Sequence, residues 1–470
     1  MLRTLTLKSY LDKVKSKEIS PSDVVKEVAD AIETINPDLN IFLARNPKAF
    51  EQSEERAKLP LSGAPIAVKD NFLTVGMITT ASSKVLEHFN PPYESTVTKN
   101  LSTAGGVIIG KTNMDAWAHG SSTETSDFGV TKNPRNPEYL PGGSSGGNAA
   151  AVAADLCIAA IGSETAGSIR QPSSWCGTVG LKPTYGRASR AGVVAMGSSL
   201  DSPGPMGKTV EDCAILFEHI VGHDPYDGTT SSQPVPKLTD ALTKGVKGMR
   251  IGIVYLDHKD LSGTRTAKAV EAAGKIFEQE GASVDVISLS TQLEKGKILS
   301  PDAAIGVYTV VQRSEVSSNL ARYDGVRFGE DRSHFGAEAK RRMMLGTFTL
   351  SKGYADKYYV KALQVRSLYI QNFAELFEMY DILISASSPG FAQKLGATAD
   401  NPMFGELEDM LMEPSSISGL PGISLPMHYD AKTNLYLGLS IVAPQWHEER
   451  VVAAAQVFEE NTKWNSWRNL

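Results

Sequence analysis

Three stretches of this chain carry side chains that together could break an amide bond. The apolar run Ile66-Ala67-Val68 ends in Lys69-Asp70-Asn71, the pattern of a buried strand that delivers an amine at its tip. Ser144 and Ser145 lie within Gly142-Gly143-Ser144-Ser145-Gly146-Gly147, and Ser168 lies in Gly162-Ser163-Glu164-Thr165-Ala166-Gly167-Ser168-Ile169-Arg170. A serine hydroxyl is a weak nucleophile until a base takes its proton. Lysine at its ordinary pKa of about 10.4 is only about 0.04% neutral at pH 7, but burial away from a carboxylate can lower that value by about three units. Lys69 then qualifies as a base. Ser144, flanked by glycines that let backbones approach closely, can relay a proton from Ser168. The N–H groups of the small-residue turn Thr165, Ala166 and Gly167, leading into Ser168, can converge on one developing negative charge as an oxyanion hole. The scheme requires the Asp70 carboxylate to point away from Lys69, as adjacent strand residues do.

Two better-known patterns also occur, both in the wrong context. Gly105-x-x-x-x-Gly110-Lys111-Thr112 matches a phosphate-binding P-loop, but its interior, Gly106-Val107-Ile108-Ile109, is strand-like and cannot form a cradle of N–H groups. Gly143-x-Ser145-x-Gly147 matches the nucleophile elbow of the α/β-hydrolases, yet it follows Pro141 and a loop rather than a strand. No downstream histidine has the setting of a triad base. His119 and His447 are the most site-like by neighbourhood, and each taken singly reads as a surface or satisfied core histidine. Cys157, Cys176 and Cys213 are odd in number and widely spaced, so buried small hydrophobes are expected rather than disulfides or a metal site.

The elements that must position these residues follow from local pattern. Ser20-Pro21-Ser22-Asp23 is a helix start ahead of Val24, Val25, Val28, Ile32 and Ile35 at helical spacing. Short strands are expected at 66–68, 107–110 and 157–161, with a helical turn at 114–119 and a close-packed helix at 149–154. A polar loop, 120–147, carries Ser144 and Ser145. A polar linker at 228–236 leads to a strand at 249–254, a helix at 268–279 and a strand at 283–287, a β-α-β unit that favours parallel pairing. Residues 300–380 read as mainly helical, and a strand returns at 380–385. Strands at both ends of the chain with helices between them predict an α/β protein: one large domain over 1–470, its central mixed β-sheet covered by helices on both faces. A net charge of −6 without a dense Lys/Arg run argues against nucleic-acid binding as the dominant role of the chain. The absence of a signal-like start or of roughly 18 consecutive apolar residues predicts a cytoplasmic protein.

The glycine-serine stretch, the Ser168 segment 24 residues after Ser144 and the continuation R-Q-P-S-S-W-C-G-T-V-G-L-K-P from Arg170 to Pro183 resemble the amidase signature family. The resemblance implies a signature core over about 60–210 and a catalytic unit of Ser168, a bridging Ser144 in cis-peptide geometry, and Lys69. Asn113-Met114-Asp115, Gly120-Ser121-Ser122-Thr123-Glu124, Gly180 to Arg187 and Lys340 to Thr347 are more particularly similar to the A-subunit family of the aspartyl/glutamyl-tRNA amidotransferases. That likeness implies a glutaminase that feeds ammonia to a B subunit, with a C subunit completing a heterotrimer. It also implies that charged tRNA, ATP and Mg are handled mainly by the partner, with no cofactor or metal in this chain. A glutamine pocket needs a cation for the α-carboxylate and an anion for the α-ammonium, and the matching positions are Arg342 and Asp409. The same unit would also serve a stand-alone amidase of small amides, or survive in a catalytically weakened scaffold. Glu164 stands where the family has Asp, Ala166 where it has Gly, and Ser440 where Gln is common. If the Ala166 position needs positive φ, alanine strains the oxyanion turn.

Overall fold

The computed structural model describes residues 1–297, 300–327, 329–399 and 401–464. Eleven strands form a single sheet: β1 (Phe42–Arg45), β2 (Pro65–Lys69), β3 (Val107–Thr112), β4 (Ala159–Glu164), β5 (Val179–Lys182), β6 (Ser202–Gly207), β7 (Arg250–Val254), β8 (Ser283–Ile287), β9 (Ile382–Ala386), β10 (Gly422–Asp430) and β11 (Leu435–Val442). Their spatial order is β1-β3-β2-β4-β6-β5-β10-β11-β9-β7-β8. The sheet is mixed: β2 runs parallel to β3 and β4, β7 runs parallel to β8 and β9, and the remaining pairs are antiparallel. Every residue of β2, β3 and β4 is buried, as strands covered on both faces must be, which is why β2 reads as a continuous apolar run rather than an alternation.

This topology brings the site together. Neighbouring parallel strands end at the same edge of a sheet, so β2 and β4, paired from Ile66↔Ala159 to Val68↔Ile161, release Lys69 and the turn after Glu164 side by side. The chain between β3 and β4 must cross over the sheet to keep them parallel to β2. It does so through the helix Gly146–Ala153, whose N-terminal approach carries Ser144. The polar tip of β4, Gly162-Ser163-Glu164, lies beyond the expected strand of 157–161; it is held extended by pairing with β6, Gly162↔Gly204 through Glu164↔Ser202. The expected turn at 114–119 contracts to a 3₁₀ turn, Ala116–Ala118, with Trp117 and Ala118 at positive φ of 60° and 63°. Asp115, whose carboxylate accepts from Ser122 N and Thr125 Oγ1, folds the chain back there instead of letting a helix continue.

Other elements follow their local signals. Ser20 caps the helix Pro21–Leu39 through a bond from Asp23 N, with Val24, Val25, Val28 and Ile32 on its buried face. The helix after the polar linker starts at Arg265, three residues before the expected 268, because Thr264 caps it. The mainly helical region comprises Pro301–Leu320, Ala337–Leu350 and Lys361–Met379. Ser440 lies buried in β11 opposite Ser424 of β10 and Ser385 of β9. All three cysteines are free and buried. Among the described residues no helix is long and apolar enough to cross a membrane.

Candidate active site

Lys69 is fully buried, and its Nζ donates to Ser144 Oγ at 2.7 Å and to the Ser163 carbonyl at 3.0 Å. Burial pushes its pKa down to about 7, against the pull of the Asp115, Asp201 and Glu164 carboxylates, so the amine is substantially neutral at pH 7. Asp70 turns away from it. Its carboxylate sits 3.2 Å from Lys111 Nζ and accepts from Thr80 N at 2.9 Å. Lys111 is thereby committed, with further bonds to Phe72 O and Thr79 Oγ1 at 2.8 Å each, and Val107–Thr112 is a strand; the P-loop pattern makes no phosphate cradle. Ser145 of the elbow-like pattern spends its hydroxyl on Ser163 O.

The Gly143–Ser144 peptide is cis. A Cβ on Gly143 would lie 2.1 Å from Asp115 Oδ2, so only glycine lets this loop pack against that carboxylate. The loop is tied to the nucleophile segment by Ser145 N donating to Ser168 O at 3.1 Å. Lys69 and Ser144 are thus bonded directly. Among the described residues no direct hydrogen bond joins Ser144 Oγ to Ser168 Oγ; such catalytic bonds commonly close only around substrate.

Between β4 and the helix Arg170–Cys176, the turn Thr165–Ser168 is shaped from outside. Glu164 accepts from the N–H groups of Ile169 and Arg170 at 3.0 and 3.1 Å and forms a buried ion pair with the Arg170 guanidinium at 2.6 Å. One carboxylate therefore serves as both helix cap and counter-ion. Arg170 and Ser416 in turn donate to the Ala166 carbonyl, which leaves the opposite side of the turn free to present its N–H groups. Among the described residues no acceptor takes the N–H of Ala166, Gly167 or Ser168, as an oxyanion hole requires. Ala166 is not in the left-handed region, so the substitution of alanine for glycine strains nothing. Thr165 directs its hydroxyl to Tyr308 at 2.9 Å.

Beside the turn stands Asp409. A Cβ on Gly167 would lie 2.4 Å from its Oδ1, so the carboxylate reaches within touching distance of the residue preceding Ser168. Asp409 Oδ2 accepts from Ser121 Oγ at 2.7 Å, Oδ1 has no partner, and burial pushes its pKa well above the ordinary carboxylate range. Arg342, only 4% exposed, bonds Glu338 through Nε at 2.5 Å and lies 3.7 Å from Glu406. Glu406 and Asp409 are one turn apart on the helix Phe404–Asp409. Asp409 thus stands beside the residue preceding Ser168, and Arg342 is linked to its helix through Glu406, although their separation of 67 in sequence gives no hint of it.

Sequence reasoning missed other polar residues here. Tyr308, Gln312 and Arg313 project from the helix Pro301–Leu320, and Glu413 from the helix Glu413–Ile417. Tyr308 and Gln312 are four apart, so they share a helix face; that spacing was the available signal. His119 is buried beside this group, held neutral by burial and by Arg342 and Arg313. His447 is remote from it, partly exposed and paired with Glu449 at 2.9 Å.

A mixed sheet whose parallel strand ends assemble a serine, a cis-linked second serine and a buried lysine of lowered pKa defines an amide-hydrolysing enzyme. The chain belongs to the amidase family, whose model matches residues 23–452. Over nearly its full length it is similar to the A subunits of glutamyl-tRNA(Gln) amidotransferases. It is 44% identical to the A subunit from Prochlorococcus marinus (strain NATL2A), with 97% of each chain covered. It is also 44% identical to that from Thermosynechococcus vestitus, with 96% of each covered. Among solved structures, the glutamyl-tRNA(Gln) amidotransferase A subunit of Thermotoga maritima superposes with a TM-score of 0.83 at 36% identity, covering 98% of this chain and 95% of that one.

Proposed function

We propose that this chain is the glutaminase subunit of a cytoplasmic tRNA-dependent amidotransferase. Ser168 Oγ attacks the side-chain amide carbon of glutamine while its proton passes through Ser144 to Lys69. The oxyanion is received by the N–H groups of the Thr165–Gly167 turn. When the tetrahedral intermediate collapses, Lys69 returns the proton through Ser144 to the departing nitrogen, and ammonia leaves a γ-glutamyl ester on Ser168. Water, deprotonated by the same relay, then releases glutamate. The ammonia serves a B subunit, which works together with a C subunit, binds ATP and Mg and converts misacylated Glu-tRNA(Gln) or Asp-tRNA(Asn) to its amide form.

The observation that carries this reading is the Asp409 carboxylate against Gly167, with Arg342 3.7 Å from Glu406, one helical turn before Asp409. A carboxyl group beside the nucleophile with one oxygen unpartnered, and a buried guanidinium beyond it, fit the ammonium and carboxylate of a free amino acid; burial keeps the Asp409 carboxyl toward its neutral form until the ammonium arrives to pair with it. The full-length similarity to named A subunits supports the partner assignment. So does an exposed cluster of Phe348, Tyr354 and Tyr358, with ring centroids 4.5 to 6.1 Å apart, beside the 74% exposed Met344.

The test is glutamate and ammonia release from glutamine by the full chain, alone and with its copurifying partners, against acetamide and propionamide. A preference for glutamine, raised by the partners, is expected, together with a covalent adduct on Ser168 from an electrophilic glutamine analogue. Faster turnover of the simple amides, without any effect of partners, would instead identify a stand-alone amidase. Asp409→Asn should raise the glutamine KM about tenfold or more while changing kcat much less, since it removes the group that ionises on pairing with the ammonium, a contact met before and during the reaction alike. An unchanged KM would remove Asp409 from the pocket.

A further inference from the structure

Arg313 has no role in the mechanism above, yet its surroundings are those of a ligand group. Its side chain is about 3% exposed and makes one strong contact, Nη2 to Glu406 Oε1 at 2.8 Å. Its Nε and Nη1 are buried without an acceptor. A guanidinium costs a great deal to bury with donors unpaired, so a site that tolerates it is built around something else that completes the set. Arg342 Nη2 lies 3.7 Å from the same oxygen of Glu406. The pair is therefore held beside one carboxylate, one helical turn, or roughly 5 Å, from Asp409.

The charges around this point do not cancel. Arg313, Arg341 and Arg342 face two carboxylates, Glu338 and Glu406, which leaves one positive charge over. Asp409 is matched to the substrate's own ammonium, and Glu413, with both carboxylate oxygens unpartnered, is pushed by burial well above the ordinary carboxylate range, so neither is paired with Arg313. His119, near enough for both guanidiniums to depress its pKa, also lacks a partner at either ring nitrogen. A small anion with several oxygen acceptors answers this arrangement. A bare amide does not.

We propose that Arg313 is a second guanidinium of the donor pocket, sharing the substrate's α-carboxylate with Arg342 and making the enzyme select donors that carry one. The inference rests on the glutaminase reading and sharpens it: the pocket distinguishes a free amino acid from an amide of similar length that lacks the carboxylate. Glu406 has the part of a positioning residue, fixing both guanidiniums so that the substrate finds them already oriented.

The experiment compares glutamine with 4-aminobutanamide, which keeps the amide, the chain and the ammonium but has no carboxylate. Wild-type full chain, Arg313→Gln and the double variant Arg313→Gln/Glu406→Gln are assayed for ammonia release, with unfolding temperature measured for each. The double variant leaves no uncompensated buried carboxylate, so the question can still be answered if the single variant folds poorly. In Arg313→Gln the glutamine KM should rise tenfold or more, with kcat changed less than threefold. The preference for glutamine over 4-aminobutanamide should shrink by a similar factor, and the double variant should show the same narrowing. A glutamine KM within twofold of wild type in either folded variant overturns the proposal. Parallel weakening of both substrates also overturns it, since that is the mark of a merely structural residue. A wild-type enzyme that already treats the two substrates alike would refute the glutaminase reading itself, whatever the variants do.

Discussion

Lys69→Ala is expected to lower kcat by at least about a hundredfold, the low end of what a positioned general base contributes. The amine is the group bonded to Ser144, and among the described residues no other base of suitable pKa touches either serine. Lys69→Met, which nearly preserves the side-chain volume, should lose as much activity with less disturbance of the core, so that a loss shared by both variants at near-native unfolding temperature isolates the missing base. Retention of more than about a tenth of wild-type kcat by either would contradict the assignment. The pH profile makes a second demand. The lysine must be neutral to accept a proton, and its pKa is lowered to about 7, so the active form prevails above that pH and is depleted below it. Log kcat/KM should therefore rise with unit slope through the acid range and level near pH 7. A plateau extending down to pH 5 would mean that Lys69 is not the titrating base.

Glu164→Gln should produce the largest loss of stability. The carboxylate it replaces accepts from two backbone N–H groups and is the counter-ion of Arg170, which is fully buried and has no other carboxylate within ion-pair distance among the described residues. Breaking a buried pair by removing one partner strands the other charge, at about 3–5 kcal/mol. The effect should be read as a lower denaturant midpoint for the full chain. Activity should fall with it, because Arg170 also holds the Ala166 carbonyl and so aims the oxyanion turn. Glu164→Asp keeps the charge, and should retain most of the stability. Equal midpoints for the glutamine variant and wild type would show that the pair contributes nothing net to the fold. The glutamic acid at this position, one methylene longer than the family's usual aspartic acid, is thus accommodated by bonds rather than by strain.

How much of this was legible in the chain itself varies from residue to residue. Lys69 at the end of an apolar run, the glycine-flanked Ser144 and the small-residue turn before Ser168 are local patterns, and each states its chemistry where it stands. A run of buried apolar residues must be a covered strand, and a charged residue at its tip must be either paired or used. The sequence by itself therefore determined the class of chemistry and the α/β architecture, and singled out the three side chains proposed to react. It also exposed the P-loop match as false, since strand-forming residues cannot offer a ring of N–H groups to phosphate. Tertiary structure decided the rest. The extension of β4 to Glu164 depends on pairing with β6, and the harmlessness of Ala166 depends on the actual backbone angles of the turn. Lys69 sits near pKa 7 because the folded chain buries it completely, while its neighbour Asp70 is drawn off to Lys111, a residue 41 positions away. The placing of Asp409 against Gly167, and of Arg313 and Arg342 around the Glu406 carboxylate one helical turn away, had no local signal, because charges on separate helices announce neither their burial nor their neighbours. Local pattern is set by interactions within a few residues, whereas pKa, unpaired donors and pocket charge arise from groups that only the folded chain brings within a few ångströms.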